Sequence, residues 1–81
     1  MNEYETVKDV CQKFIENKYN IGDLSRALSW VAVPIQIQEK VDEAEFKIEK
    51  IRFLVPDNEQ YEEALDVIRD LLSEVKELES K

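Results

Sequence analysis

Carboxylates are the only reactive groups in this sequence that recur at regular spacing. In "DNEQYEEALDVIRDLLSE", residues 57 to 74, Glu59, Glu63, Asp66, Asp70 and Glu74 follow one another at steps of four, three, four and four. On a helix these positions form one stripe of like charge. Such a stripe can hold a divalent cation, dock a basic partner, or simply keep an outer face solvated. Two Glu-x-x-Asp pairs, Glu39 with Asp42 and Glu63 with Asp66, bear on the first option. Carboxylates on successive turns of a bundle are ligands that suit Mg²⁺.

The paired acids resemble the metal-binding spacing of the all-α nucleotide pyrophosphohydrolases, but the rest of the inventory argues against an enzyme. With acids at roughly a quarter of all positions, several acid-x-x-acid pairs arise by chance. If Ile37 and Val41 face a core, Glu39 and Asp42 point to solvent, where a cation would keep its water. The chain has no His, which removes Ser/His/Asp and Cys/His catalysis, His-ligated zinc and Glu-x-x-His di-iron sites. Its one Gly, Gly22, cannot make a phosphate-cradling loop. The expectation is a protein without catalytic activity, cofactor or metal.

Helices must carry these residues. Tyr4, Val7, Cys11 and Phe14 recur at helical spacing, with Val10 and Ile15 beside them, and predict a helix over about 3–18. It ends in "YNIGD", where Asn20 and Gly22 tolerate left-handed backbone and Asp23 can cap the next helix. Leu24, Leu28 and Val31 line that second helix, about 23–33, until Pro34 interrupts it and opens the third. Ile37, Val41, Ala44, Ile48, Ile51 and Val55 define the third, about 35–55. Pro56 stops it, and Asp57 or Asn58 can cap the fourth, about 58–79. The fourth is expected to bury Tyr61, Leu65, Ile68, Leu72 and Val75, its stripe widened by Ala64, Leu71 and Leu78. Short connections make neighbours antiparallel, so the expected fold is a single all-α domain, a compact bundle of four helices over 1–81. Phe14, Leu28, Ile48, Ile51, Leu65, Ile68 and Leu72 are the predicted core. Trp30 is read as core beside Leu28 and Val31, with the edge of a docking surface as its alternative use.

Charge narrows the partner. Eleven Lys and Arg stand against nineteen Asp and Glu, a net charge of −8 that repels nucleic-acid backbones and anionic membranes. Residues 35–81 carry net −7 of it, and the last helix holds eight acids against Arg69 and Lys76. Cys11 is alone, surrounded by Val7, Val10 and Phe14, and reads as a buried thiol. No stretch has the apolar core of a leader or the length of a membrane span, so a cytoplasmic location is expected.

The stretches "FIENKYNIGDLSRAL" and "RFLVPDNEQYEEALDVIRDLL" resemble the colicin D immunity family in layout: a first helix ending in an aromatic-apolar pair, a short turn, and a final amphipathic helix entered through Pro56-Asp57. The immunity proteins of contact-dependent growth-inhibition systems are similar. The longer acidic loop that family would place after the Tyr is absent here, since Tyr61 runs directly into "EEALDVI". The resemblance implies a bacteriocin-type immunity protein: a toxin inhibitor that fills the cationic cleft of a basic toxin domain, a ribonuclease, with carboxylates in place of substrate phosphates. The residues matching that role are Asp57, Glu59, Glu62, Glu63 and Asp66, and the charge stripe adds Asp70. The expected protein-protein interaction is one to one, by a monomer rather than a homodimer. The alternative is a structural or regulatory module that self-associates through its heptad helices, with an interface at Ile37, Val41 or Ile48 and no toxin partner.

Overall fold

The computed structural model describes residues 4–80 and contains four α-helices. They are α1 (Glu5–Ile15), α2 (Ile21–Trp30), α3 (Ile35–Leu54) and α4 (Asp57–Glu79), with no strand among the described residues. The expected start of the first helix at residue 3 lies outside the described residues. Helices α1 and α3 occupy opposite corners, each packed against α2 and α4, while α2 and α4 also touch across the bundle. The radius of gyration is 12.0 Å, close to the roughly 12 Å expected for a compact chain of this length.

The junctions explain where the helices end. Helix α1 stops three residues before the expected residue 18 because Asn17, not Asn20 or Gly22, takes the left-handed conformation, at φ 66°. The Asn17 N–H then donates to the Phe14 carbonyl (3.0 Å) and the Lys18 N–H to the Lys13 carbonyl (2.8 Å), the paired bonds of a Schellman ending. Asn20 is thereby freed to open α2. Its Oδ1 accepts from the Asp23 N–H at 2.8 Å, and the Asp23 carboxylate accepts from the Asn20 N–H at 3.3 Å. This reciprocal box starts α2 two residues earlier than expected and makes Asp23 its third residue rather than its cap. Gly22 sits in the first turn, where an added Cβ would come within 3.3 Å of the capping Asn20 oxygen.

Helix α2 also ends three residues early. Val31 already has extended backbone (ψ 131°), and Pro34, which restricts the residue before it, leads directly into α3 as its N-cap. The 3–4 junction has no side-chain cap from Asp57 or Asn58, because Pro56 is the N-cap and Asp57 the first helical residue. Gln60 satisfies the junction instead. Its Nε2 lies 2.9 Å from the Val55 carbonyl and 3.2 Å from the Arg52 carbonyl, so α4 supplies the donor for the open end of α3.

Phe14, Leu24, Leu28, Ile37, Val41, Ile48 and Ile68 meet in a core that all four helices share. Two expectations for α4 need correction. The buried stripe is Ala64, Ile68, Leu71 and Val75, and Leu65 and Leu72 are half-buried at its flank. The helix is thus turned by about half of one 100° residue step from the predicted face. Ala64, fully buried, presents the small side chain that close helix approach favours. Tyr61 stays partly exposed, because its hydroxyl donates to the Ile15 carbonyl at 3.1 Å while its ring rests on Phe14, centroids 5.2 Å apart. Trp30 is not core either: it is 84% exposed at the end of α2. The α2–α3 contact is fastened by polar pairs, Ser25 Oγ with Glu49 and Ser29 Oγ with Glu45 (2.9 Å).

Replacing Asn20 with Ala removes the acceptor for the Asp23 N–H, and is expected to destabilise the domain by about 1 kcal/mol in urea unfolding, with an unchanged slope.

Candidate partner-binding surface

Burial of Ala64, Ile68, Leu71 and Val75 fixes which side of α4 meets water. Glu59, Glu62, Glu63, Asp66 and Asp70 all emerge on the opposite side and are exposed. From Glu59 to Asp70 the strip runs about 16 Å along the helix axis. Among the described residues none of these five carboxylates has an ion-pair or side-chain hydrogen-bond partner. The four-apart pairs Glu59/Glu63, Glu62/Asp66 and Asp66/Asp70 each oppose helix formation by a few tenths of a kcal/mol. The start of the strip lies near the α4 N-terminus, where the aligned peptide dipoles favour negative charge.

Asp57 stands apart from this group. It is exposed, but it opens the helix two residues before Glu59, about 200° around the axis, and accepts from Gln60 Nε2 at 3.3 Å. The far end of the stripe is also distinct. Asp70 and Glu74 line a groove between α3 and α4 that also contains Lys40 and Lys47. No ion pair closes across it among the described residues, yet the lysines offset the local field. Glu59 to Asp66 lie outside this groove and form no ion pair among the described residues, and Arg69, exposed three residues after Asp66, is the nearest base in sequence on their own helix. Some acids elsewhere are occupied: Glu49 binds Arg52 (3.2 Å) as well as Ser25, and Glu79 binds Lys8 (3.1 Å), tying the end of α4 to α1.

Among the described residues no three His, Cys, Asp or Glu side chains are grouped so as to hold a metal ion. Glu39, Asp42, Glu63 and Asp66 are all exposed, on separate outer faces. No helix among the described residues is long and apolar enough to cross a membrane. Ile37, Val41 and Ile48 are fully enclosed by the chain's own helices, so a second copy could reach them only by opening the core.

What the sequence reading missed is apolar. Ile35, Phe46, Phe53 and Leu54 on α3 are exposed, as is Trp30. The signal was present in the spacing: Ile35, Phe46 and Phe53 are separated by eleven and seven residues, whole numbers of helical turns, on the side of α3 opposite Ile37, Val41, Ala44, Ile48 and Ile51.

The class these observations define is an all-α four-helix bundle with an unpaired acidic strip on its last helix. Set against known proteins, the chain matches no family model, no curated protein and no solved structure.

Cys11 belongs to the core and to no site. It is fully buried and unbonded to another cysteine, and desolvation pushes its thiol pKa from 9.0 up to about 12. The folded protein keeps a proton that the unfolded chain releases. This contribution to stability is complete below pH 9.0 and is lost as pH rises to about 12. Unfolding measurements from neutral to alkaline pH should show stability falling above about pH 9, with a shallower fall in Cys11→Ala. At neutral pH the native thiol should resist thiol reagents until the protein unfolds.

Proposed function

We propose that this protein is an immunity protein, which binds a basic toxin domain in the cytoplasm and blocks its cationic active cleft with the acidic face of α4. The observation that carries this reading is the exposed strip Glu59, Glu62, Glu63 and Asp66, which forms no ion pair among the described residues. The likeness of "RFLVPDNEQYEEALDVIRDLL" to the colicin D immunity family supports the same assignment and suggests a ribonuclease as the toxin. Nuclease clefts are lined with Lys and Arg that neutralise phosphates. A rigid helix offers carboxylates at intervals of one turn, about 5.4 Å, and can fill such a cleft without presenting a bond to cleave. Because the strip is held by the core packing behind it, little ordering entropy is lost on docking. Its concentrated field also accelerates encounter with a basic surface and disfavours acidic ones. Asp70 extends the contact at one end, and Asp57 reaches it only if the partner wraps the α3–α4 turn.

The test is a titration against a purified ribonuclease toxin domain of the colicin D type, with protection of cells from that toxin as the second readout. Reversing Glu59, Glu63 and Asp66 to Lys should leave helical content nearly unchanged, since all three are exposed. Binding should weaken by roughly two to three decades, as when one side of a close charge pair is removed. A variant of equal charge change on α1 and its C-cap, with Glu5, Asp9 and Glu16 reversed, should bind within several-fold of the native protein. Affinity should also fall as salt rises from about 0.05 to 0.5 M. Full binding and protection by the α4 variant would overturn the proposal.

A further inference from the structure

Helix α3 carries three large apolar side chains on the side away from the core, interspersed with Glu39, Asp42 and Lys50. Opposite the buried residues, Ile35 (88% exposed), Phe46 (63%) and Phe53 (77%) form an outer ridge along the helix. The charges of the helix are sorted by position. The half before Phe46 holds Glu39, Asp42, Glu43 and Glu45 against Lys40, a net −3, and the half after it holds Lys47, Lys50 and Arg52 against Glu49, a net +2. Asp42 accepts from Gln38 Nε2 at 2.9 Å, and the Lys50 ammonium lies 5.0 Å from the centre of the Phe46 ring. Among the described residues Glu39, Glu43, Lys47 and Lys50 form no ion pair.

We propose that the outer face of α3 binds a second copy of this chain, antiparallel, about a two-fold axis at Phe46. Such pairing stacks Phe46 on its counterpart, sets Phe53 level with Glu39 and about 6 Å short of Ile35 along the other copy, and lays each basic half against an acidic half. A parallel arrangement would set like charge on like. The occupant follows from this sorting: a uniformly basic or acidic partner would match one half of the face and be repelled by the other. A face ordered acid, apolar, base along one helix matches its own reverse, the self-complementarity that a two-fold contact requires. An anionic membrane is repelled by the net charge of −8. The contact uses neither the enclosed Ile37, Val41 and Ile48 nor the α4 strip, and it is independent of the toxin-binding proposal. One 20-residue helix, about 30 Å long, buries less than roughly 1,200 Å² in all, so association should be micromolar or weaker.

Sedimentation equilibrium of the full chain, from about 10 µM to 1 mM, reads this directly. The native protein should pass from monomer to dimer across that range, and Phe46→Glu should stay monomeric. Two further variants test the pairing: one carries Glu39→Lys with Glu43→Lys, the other Lys47→Glu with Lys50→Glu. Each alone should self-associate at least tenfold more weakly than the native chain. Mixed, they should form a one-to-one heterodimer, because a net basic helix then meets a net acidic one. The α4 variant with Glu59, Glu63 and Asp66 reversed should dimerise as the native protein does, which separates this contact from toxin docking. All substituted side chains are exposed, and circular dichroism checks that each variant folds. A native chain monomeric throughout, a Phe46→Glu variant that still dimerises, or charge variants that fail to associate when mixed would each overturn the proposal.

Discussion

Every surface of this molecule is set by the packing of α4 against the other three helices. Ala64, Ile68, Leu71 and Val75 are the only fully enclosed residues of that helix, and α1, α2 and α3 all touch it. Apolar burial has no direction of its own, so four side chains on one stripe fix the rotation of a 23-residue helix about its axis. The rotation decides the rest. It carries Glu59, Glu62, Glu63 and Asp66 away from the bundle, brings Asp70 and Glu74 beside α3, and leaves Glu79 within reach of Lys8. In a domain of this size, where the margin of stability is a few kcal/mol, a rotation that turned the acidic side inward would submerge carboxylates at a cost the fold could not meet.

The chain treats its acids in two ways. Glu45 and Glu49 of α3 meet serines of α2, Asp23 caps in concert with Asn20, and Glu79 bonds across to α1. These carboxylates fasten helices and turns. Glu59, Glu62, Glu63 and Asp66 of α4 fasten nothing, and their mutual repulsion works against the helix that carries them. Composition alone does not separate the two groups, since both consist of Glu and Asp at helical spacing; only the position of the neighbouring helix does.

That distinction also describes how much was legible in the sequence. The apolar periods of three and four located all four helices, because a helix in a bundle must give one face to the core. Buried Cys11, Phe14, Ile48 and Ile68 follow from the same rule. The ends were less legible because they depend on hydrogen bonds between particular atoms. Asn17 and Asn20 are equally able to turn or to cap, and only the bonds from Lys18 and Asp23 show which does which. The face of α4 was misread by half a step because Tyr61, Leu65 and Leu72 look as apolar as Ala64 and Leu71. Tyr61 follows its hydroxyl to Ile15 instead of entering the core. Trp30 was misread for a related reason: α2 gives way to extended chain at Val31, and the large ring remains outside. The exposure of the acidic strip was legible from its spacing. The separateness of Asp57 and the lysines facing Asp70 required the turn and the α3–α4 groove.

Two features break the rules that the remainder of the chain obeys. One is the row of like charges on α4, and the other is the ridge of large apolar side chains on the outside of α3. Neither is forced by the core. The inner face of α3 is complete with Ile37, Val41, Ala44, Ile48 and Ile51, so Phe46 and Phe53 add exposed ring surface without adding a folding contact. Neutral polar residues in place of Glu59, Glu63 and Asp66 would keep α4 soluble and remove the repulsion. A small domain under selection for folding alone would shed both, since each works against stability or solubility and neither adds to the core. Local rules are broken where a sequence answers to something other than its own fold. Here both breaks face outward, on adjacent helices and on different sides, as two separate contacts with other molecules would require.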